Sequence, residues 1–130
     1  MIQDDELNKQ KRYYNILVGW INIHHREKTI EQYFIEKGLK SIAIYGMAEL
    51  GELLYDELFD TEIKIKYVID KCRARVYAEV PVFLPEDELE EVDAIIITAV
   101  HYYDEICETL VKKIDCPMIS LDSVIHSLNY

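Results

Sequence analysis

The stretch Ser41-Ile42-Ala43-Ile44-Tyr45-Gly46-Met47-Ala48-Glu49-Leu50-Gly51-Glu52-Leu53-Leu54-Tyr55 decides the fold. Residues 41–45 are mostly apolar and end at a glycine, as a short buried strand entering a tight turn does. Beyond the turn the period changes. Leu50, Leu53, Leu54 and Leu58 recur at helical spacing and give a helix one apolar face. The dinucleotide-binding turn has the form Gly-x-Gly-x-x-Gly, and here it reads Gly46-Met47-Ala48-Glu49-Leu50-Gly51. Gly46 fits the tight turn and Gly51 the close packing of helix on strand. Ala48 stands where a second glycine lets the backbone approach a pyrophosphate. Glu49 suits the positive end of the helix dipole but opposes a phosphate there. Two readings stay open: a dinucleotide or sugar-nucleotide site, and a turn that the fold needs with no ligand.

Working outward, the next apolar run is Ile63, Ile65, Tyr67, Val68 and Ile69, which ends in Asp70-Lys71. It alternates and then becomes continuous, as a buried parallel strand does. Asp70 lies 24 residues after Gly46. The fingerprint places an acid about 20 residues on, where it hydrogen-bonds a ribose hydroxyl and favours NAD. A polar loop with Arg73 and Arg75 follows. Residues 80–83 read as a short strand that carries a proline and so belongs near an edge. Residues 85–89 read as one helical turn with Pro85 first. Residues 93–100 are the strongest strand signal, with an all-apolar centre that calls for cover on both faces. A helix over 101–113, a strand over 117–120 and a helix over 122–128 complete the chain. Alternating strands and helices with short connections imply right-handed crossovers and a parallel sheet. The expected fold is α/β, a Rossmann-like five-stranded parallel sheet in the order 3-2-1-4-5.

Ahead of this unit lies a helical arm, residues 1–38, against 39–130 for the Rossmann-like domain. Residues 4–27 read as a helix in which Leu7, Tyr14, Leu17, Val18 and Ile21 fall near helical spacing, with Lys9, Lys11 and Arg12 on the other side. Trp20 sits beside that stripe. Thr29-Ile30-Glu31-Gln32 fits a capping box, and Gly38 fits the left-handed residue that ends a helix. Such an arm has no slot in the sheet. It packs outside, or on another chain, with Trp20, Tyr13 and Tyr14 as docking residues.

Composition narrows the function. At 130 residues the chain is one ordinary domain, and its net charge of -11 is the reverse of what phosphate-backbone binding requires. Nucleic acid and anionic membrane surfaces are therefore not expected partners. No apolar run approaches the ~20 residues of a membrane span. The acidic start, Met1-Ile2-Gln3-Asp4-Asp5-Glu6, lacks the pattern of a signal peptide, so a cytoplasmic location is expected. Cys72, Cys107 and Cys116 form neither a disulfide framework nor a zinc motif. Adjacent His24 and His25 point apart on a helix, and no metal is expected.

A second group of candidates follows the strongest strand. Thr98 and Ala99 fall at its carboxyl end, where open parallel sheets hold ligands. His101 and Tyr102 are the weak catalytic candidates: His101 as an acid or base, Tyr102 or Tyr103 also as a stacking surface. A helix-start histidine exposed to water is the plainer reading. The Tyr33–Lys37 and Tyr67–Lys71 spacings echo a dehydrogenase pair, but neither lies on a suitable helix and both read as chance.

The motifs in order are Tyr33-Phe34, residues 42–55, Tyr67-Val68-Ile69-Asp70, Val80-Pro81-Val82, Asp93 to Thr98 and Pro117 to Leu121. This series resembles the small Rossmann-like NAD(P)-binding or CoA-binding-type domains of bacterial surface-polysaccharide gene clusters, which occur alone or fused to glycosyltransferases and sugar-modifying enzymes. The resemblance implies a nucleotide-binding accessory or regulatory module in polysaccharide biosynthesis. Its cofactor would be NAD(H), or its ligand a nucleotide sugar. Gly46, Met47, Ala48, Glu49, Leu50, Gly51, Asp70, Lys71, Thr98 and Ala99 would form the site. It would act as a homodimer or docked on a glycosyltransferase-type partner. Two alternatives stand beside it: an interaction or dimerisation protein with a vestigial nucleotide site, and a small epimerase- or reductase-like enzyme completed across a dimer. A complete enzyme on its own is not expected, because only nine residues follow Leu121.

Overall fold

A computed structural model describes residues 2–130, with side chains from Asp5 onward. Met1, the first residue of the expected arm, lies outside the described residues. The elements are α1 (Ile2–His25), α2 (Ile30–Lys37), β1 (Ser41–Tyr45), α3 (Glu49–Leu58), β2 (Lys64–Ile69), β3 (Val82–Phe83), β4 (Ala94–Ile97), α4 (Tyr103–Leu110), β5 (Met118–Ser120) and α5 (Leu121–Asn129). The strands form one parallel sheet in the order β3-β2-β1-β4-β5, as the alternation implies. The proline-bearing strand is at the edge.

Side-chain alternation sorts the core into two layers. Ile42, Ile44, Val68, Ala94 and Ile96 face α1, α2, α3 and α5. Ala43, Tyr45, Tyr67, Ile69, Ile95 and Ile97 face α4, with Ile106, Leu110 and Val92 upon them. α2 begins where the Thr29 N–H donates to Gln32 Oε1 at 3.0 Å and ends at Gly38, whose φ of 71° no β-carbon obstructs. Asp93 ties the starts of two strands. Its Oδ2 accepts the Lys40 and Ser41 N–H groups at 2.7 and 3.1 Å, and these donors hold its carboxyl below the ordinary value of 3.8.

Several expectations are corrected. α1 buries Ile16, Trp20 and Ile23, while Leu7, Tyr14, Leu17, Val18 and Ile21 face outward. The helix is apolar on both sides, so periodicity alone cannot choose between them. Packing on α5 fixes one side inward, and so does Glu57 on α3. It accepts from Trp20 Nε1 at 2.7 Å, lies 2.8 Å from His24 Nε2, and accepts the Ile30 N–H at 2.8 Å. Trp20 is therefore a core residue and not a docking residue. Leu53, expected inward, is 44% exposed. Pro85 opens a turn rather than a helix, because Asp87 turns back to accept the Leu84 N–H at 2.8 Å. His101 lies in a short 3₁₀ turn, Val100–Tyr102, ahead of α4.

Candidate functional site

The site is built at the carboxyl ends of β1 and β4, the switch point of the sheet, where chain direction leaves a crevice. Gly46 turns the chain there with φ 99°. Its N–H donates to Ile69 O at 2.8 Å. Thr98 is buried, and its hydroxyl reaches Gly46 O at 2.5 Å and Tyr45 O at 3.1 Å. A β-carbon on Gly46 would lie 2.7 Å from Thr98 Oγ1. One on Gly51 would lie 1.9 Å from Gly46 O. These two glycines therefore let strand, turn and helix close on one another. Ala48 has φ -78° and is exposed, so nothing in the backbone there demands glycine.

α3 starts at this turn without a side-chain cap. The N–H groups of its first turn, Glu49, Leu50 and Gly51, precede any helical carbonyl that accepts from them. These residues line a cleft of about 1040 Å³, just above the ~300–1,000 Å³ of small-molecule sites. Gly46, Ala48, Glu49, Leu50, Gly51, Asp70, Lys71, Thr98, Ala99 and Tyr102 line it together. Met47 does not: its side chain is buried in the core, and its N–H is held by Asp70.

Asp70 is positioned by the end of β2. Its Oδ2 accepts the Met47 N–H at 2.7 Å and its Oδ1 the Cys72 N–H at 2.7 Å. The carboxylate thus braces the glycine turn against the following loop. Each oxygen keeps a second lone pair for a hydroxyl donor in the cleft. Tyr45, beside it, has its phenol pushed above 10.0, by burial first and then by the carboxylates of Asp70 and Glu86. At neutral pH it is a phenol donor and not a base.

Lining residues that the motif did not indicate come from α1 and from the loops. Lys9, Tyr13 and Leu17 cross above the cleft at spacings of four. Lys9 Nζ lies 5.9 Å from the Tyr13 ring and 5.4 Å from the Tyr102 ring, a cation held near two aromatic faces. Arg75, Pro85, Glu105 and Thr109 also line the cleft. Lys9, Lys71 and Arg75 offset Glu49, Asp70 and Glu105, so the cleft is near neutral in a chain of net charge -11. A spacing of four sets Lys9, Tyr13 and Leu17 along one side of α1, although the stripe as read from the sequence puts Leu17 apart from Lys9. What that side meets depends on where α1 lies.

His101 is not in this cleft. Its Nε2 lies 3.1 Å from Asp5 Oδ1, and its Nδ1 is buried with no hydrogen-bond partner among the described residues. Neither ring nitrogen is presented to the crevice. Among the described residues no three His, Cys, Asp or Glu side chains gather as a metal site, and no helix is long and apolar enough to cross a membrane. No protein-family model and no curated protein matches the chain.

Proposed function

We propose that this protein is a nucleotide-binding module whose cleft receives a diphosphate-containing ligand, NAD(H) or a nucleotide sugar. The observation that carries the reading is the uncapped start of α3 opening onto the cleft, between a left-handed glycine and the Asp70 carboxylate. Backbone N–H groups at a helix start favour an anion. The local balance of Lys9, Lys71 and Arg75 against three acids removes much of the repulsion that the whole chain would exert. Spare lone pairs on Asp70 suit ribose hydroxyls, and Tyr102 with Tyr13 offers aromatic faces for a base. Its role is that of an accessory or regulatory subunit in bacterial surface-polysaccharide synthesis. That setting rests on the sequence resemblance alone.

Thermal unfolding with NAD, NADP, nucleotide sugars and CoA tests this. A ligand at a hundred times its dissociation constant stabilises by about 2.7 kcal/mol. For a domain of this size that raises Tm by about 10 °C. The reading requires such a shift with at least one diphosphate ligand and its loss in Lys9→Glu. If every ligand leaves Tm unchanged, the cleft is a consequence of the fold and the reading fails.

A further inference from the structure

The two halves of α1 are held differently. The second half is rooted in the core by Ile16, Trp20 and Ile23, by the bond from Trp20 Nε1 to Glu57, and by Asn129 Nδ2 donating to Gly19 O at 3.1 Å. From Asp5 to Asn15 no residue is buried, and only Lys9 and Tyr13 are half-buried. Lys9 and Tyr13 line the cleft. The polar contacts of this first half converge on one three-residue turn. Asp5 Oδ1 lies 3.1 Å from His101 Nε2, Lys9 Nζ lies 5.4 Å from the Tyr102 ring, and Arg12 Nη1 donates to Val100 O at 3.2 Å. Steps of four and three set Asp5, Lys9 and Arg12 on one helix face. Their partners, Val100 to Tyr102, follow directly on Thr98 and Ale99, which line the cleft.

We infer that residues 5–15 are a strap that closes one side of the cleft and opens by unwinding, with the Val100–Tyr102 turn as its clasp. A helical segment of about 16 Å is marginal in water without packing. The rooted half of α1 supplies the nucleus on which it rewinds. What holds the segment closed is the clasp, and the clasp is weak. Asp5 is 70% exposed, so water screens its pairing with His101. His101 Nδ1 is buried without a partner among the described residues, so the ring is not fully satisfied in the closed state. A segment with no buried side chain and a weak polar hold belongs to the low-stability end of local unfolding, from which lids and binding loops are drawn. A ligand that touches Lys9 or Tyr13 favours the closed helix by the strength of those contacts. As regulation of the proposed site the strap rests on the nucleotide reading, but its test needs no nucleotide.

Hydrogen exchange on the full, ligand-free chain reads the strap directly. Amides of residues 6–15 should exchange roughly a hundredfold or more faster than those of residues 18–25. The double variant Asp5→Ala, Arg12→Ala removes two clasp contacts and should speed residues 6–15 by roughly a further fivefold, leaving residues 18–25 unchanged. Both side chains are exposed, so the core is untouched. Access to the cleft is read at half-buried Ala99, replaced as Ala99→Cys. Its modification by a thiol reagent, measured at residue 99 by peptide mass spectrometry, should accelerate by a similar factor in the double variant. Residues 6–15 as protected as residues 18–25 overturn the inference, because α1 then opens as one unit. A modification rate at residue 99 that ignores the clasp variant also overturns it, because the strap then controls nothing. If both results are as expected while no diphosphate ligand raises Tm, the strap stands and the nucleotide reading falls.

Discussion

Replacing Gly51 by alanine adds one methyl group where the turn and the helix meet. That carbon would lie 1.9 Å from Gly46 O, 2.8 Å from Gly46 C and 3.3 Å from Thr98 Oγ1. Two of the three are backbone atoms, so no rotamer change relieves the contact. To reach even 3.0 Å the start of α3 must retreat by roughly 1 Å from β1. That movement strains the Thr98 hydrogen bonds and opens the layer around Leu50 and Leu54. Overpacking a close-packed site costs about 1–3 kcal/mol and occasionally more, and a backbone clash belongs at the top of that range. Better helix propensity returns about 1 kcal/mol. We expect a net loss of about 2 kcal/mol, which at ~2 kcal/mol per molar of urea lowers the midpoint by about 1 M. Urea unfolding followed by the fluorescence of Trp20, the sole and buried tryptophan, measures it. Gly38→Ala is the control. Its φ of 71° carries the left-handed cost of about 1–2 kcal/mol, but its added methyl meets nothing within 4 Å. If Gly51→Ala costs no more than Gly38→Ala, the close-packing account of the turn is wrong.

Two further predictions concern pH. Tyr67 is buried, donates to Glu90 O at 2.7 Å, and has its pKa pushed up from 10.0 to about 12, chiefly by burial. Its folded value is the raised one, so its contribution is complete below pH 10 and is lost as pH rises through about 12, at most about 2–3 kcal/mol. Tyr67→Phe should flatten that alkaline decline in Tm while lowering neutral stability by about 1 kcal/mol for the lost hydrogen bond; an unchanged alkaline profile contradicts the assignment. Asp93 has the opposite sign. Its folded pKa is lowered, so its contribution is present at neutral pH and is lost as pH falls below 3.8. Asp93→Asn should shrink the acid-side loss of stability, and an acid limb as steep as wild type counts against the Lys40–Ser41 staple.

The sheet was legible because β1, β2 and β4 are apolar runs between polar ends, and a glycine turn followed by a helical period allows few topologies. The inward face of α1 was not legible. Leu7, Tyr14, Val18 and Ile21 form as good a stripe as Ile16, Trp20 and Ile23, and what distinguishes them is distant in sequence: the Glu57 acceptor on α3 and the packing of α1 on α5. Pro85 illustrates a local ambiguity: proline opens helices and turns alike, and Asp87 decided for the turn. In the cleft, Gly46, Ala48, Glu49, Leu50, Gly51, Asp70 and Thr98 were reachable from spacing. Lys9, Tyr13 and Leu17 were not, because their place depends on how α1 crosses the sheet. Asp70 shows a deeper limit. An acid at a strand end reads the same whether it serves a ribose or, as its bonds to Met47 and Cys72 show, the backbone.

The central claim is that the first-turn N–H groups of α3 receive a diphosphate. Amide ¹H–¹⁵N chemical shifts recorded while NAD or a nucleotide sugar is added report on those groups directly. The account predicts saturable shifts that are largest at Ala48, Glu49, Leu50 and Gly51, with smaller ones at Thr98 and Ala99. Spectra that do not change, or changes confined to residues outside the cleft, contradict it.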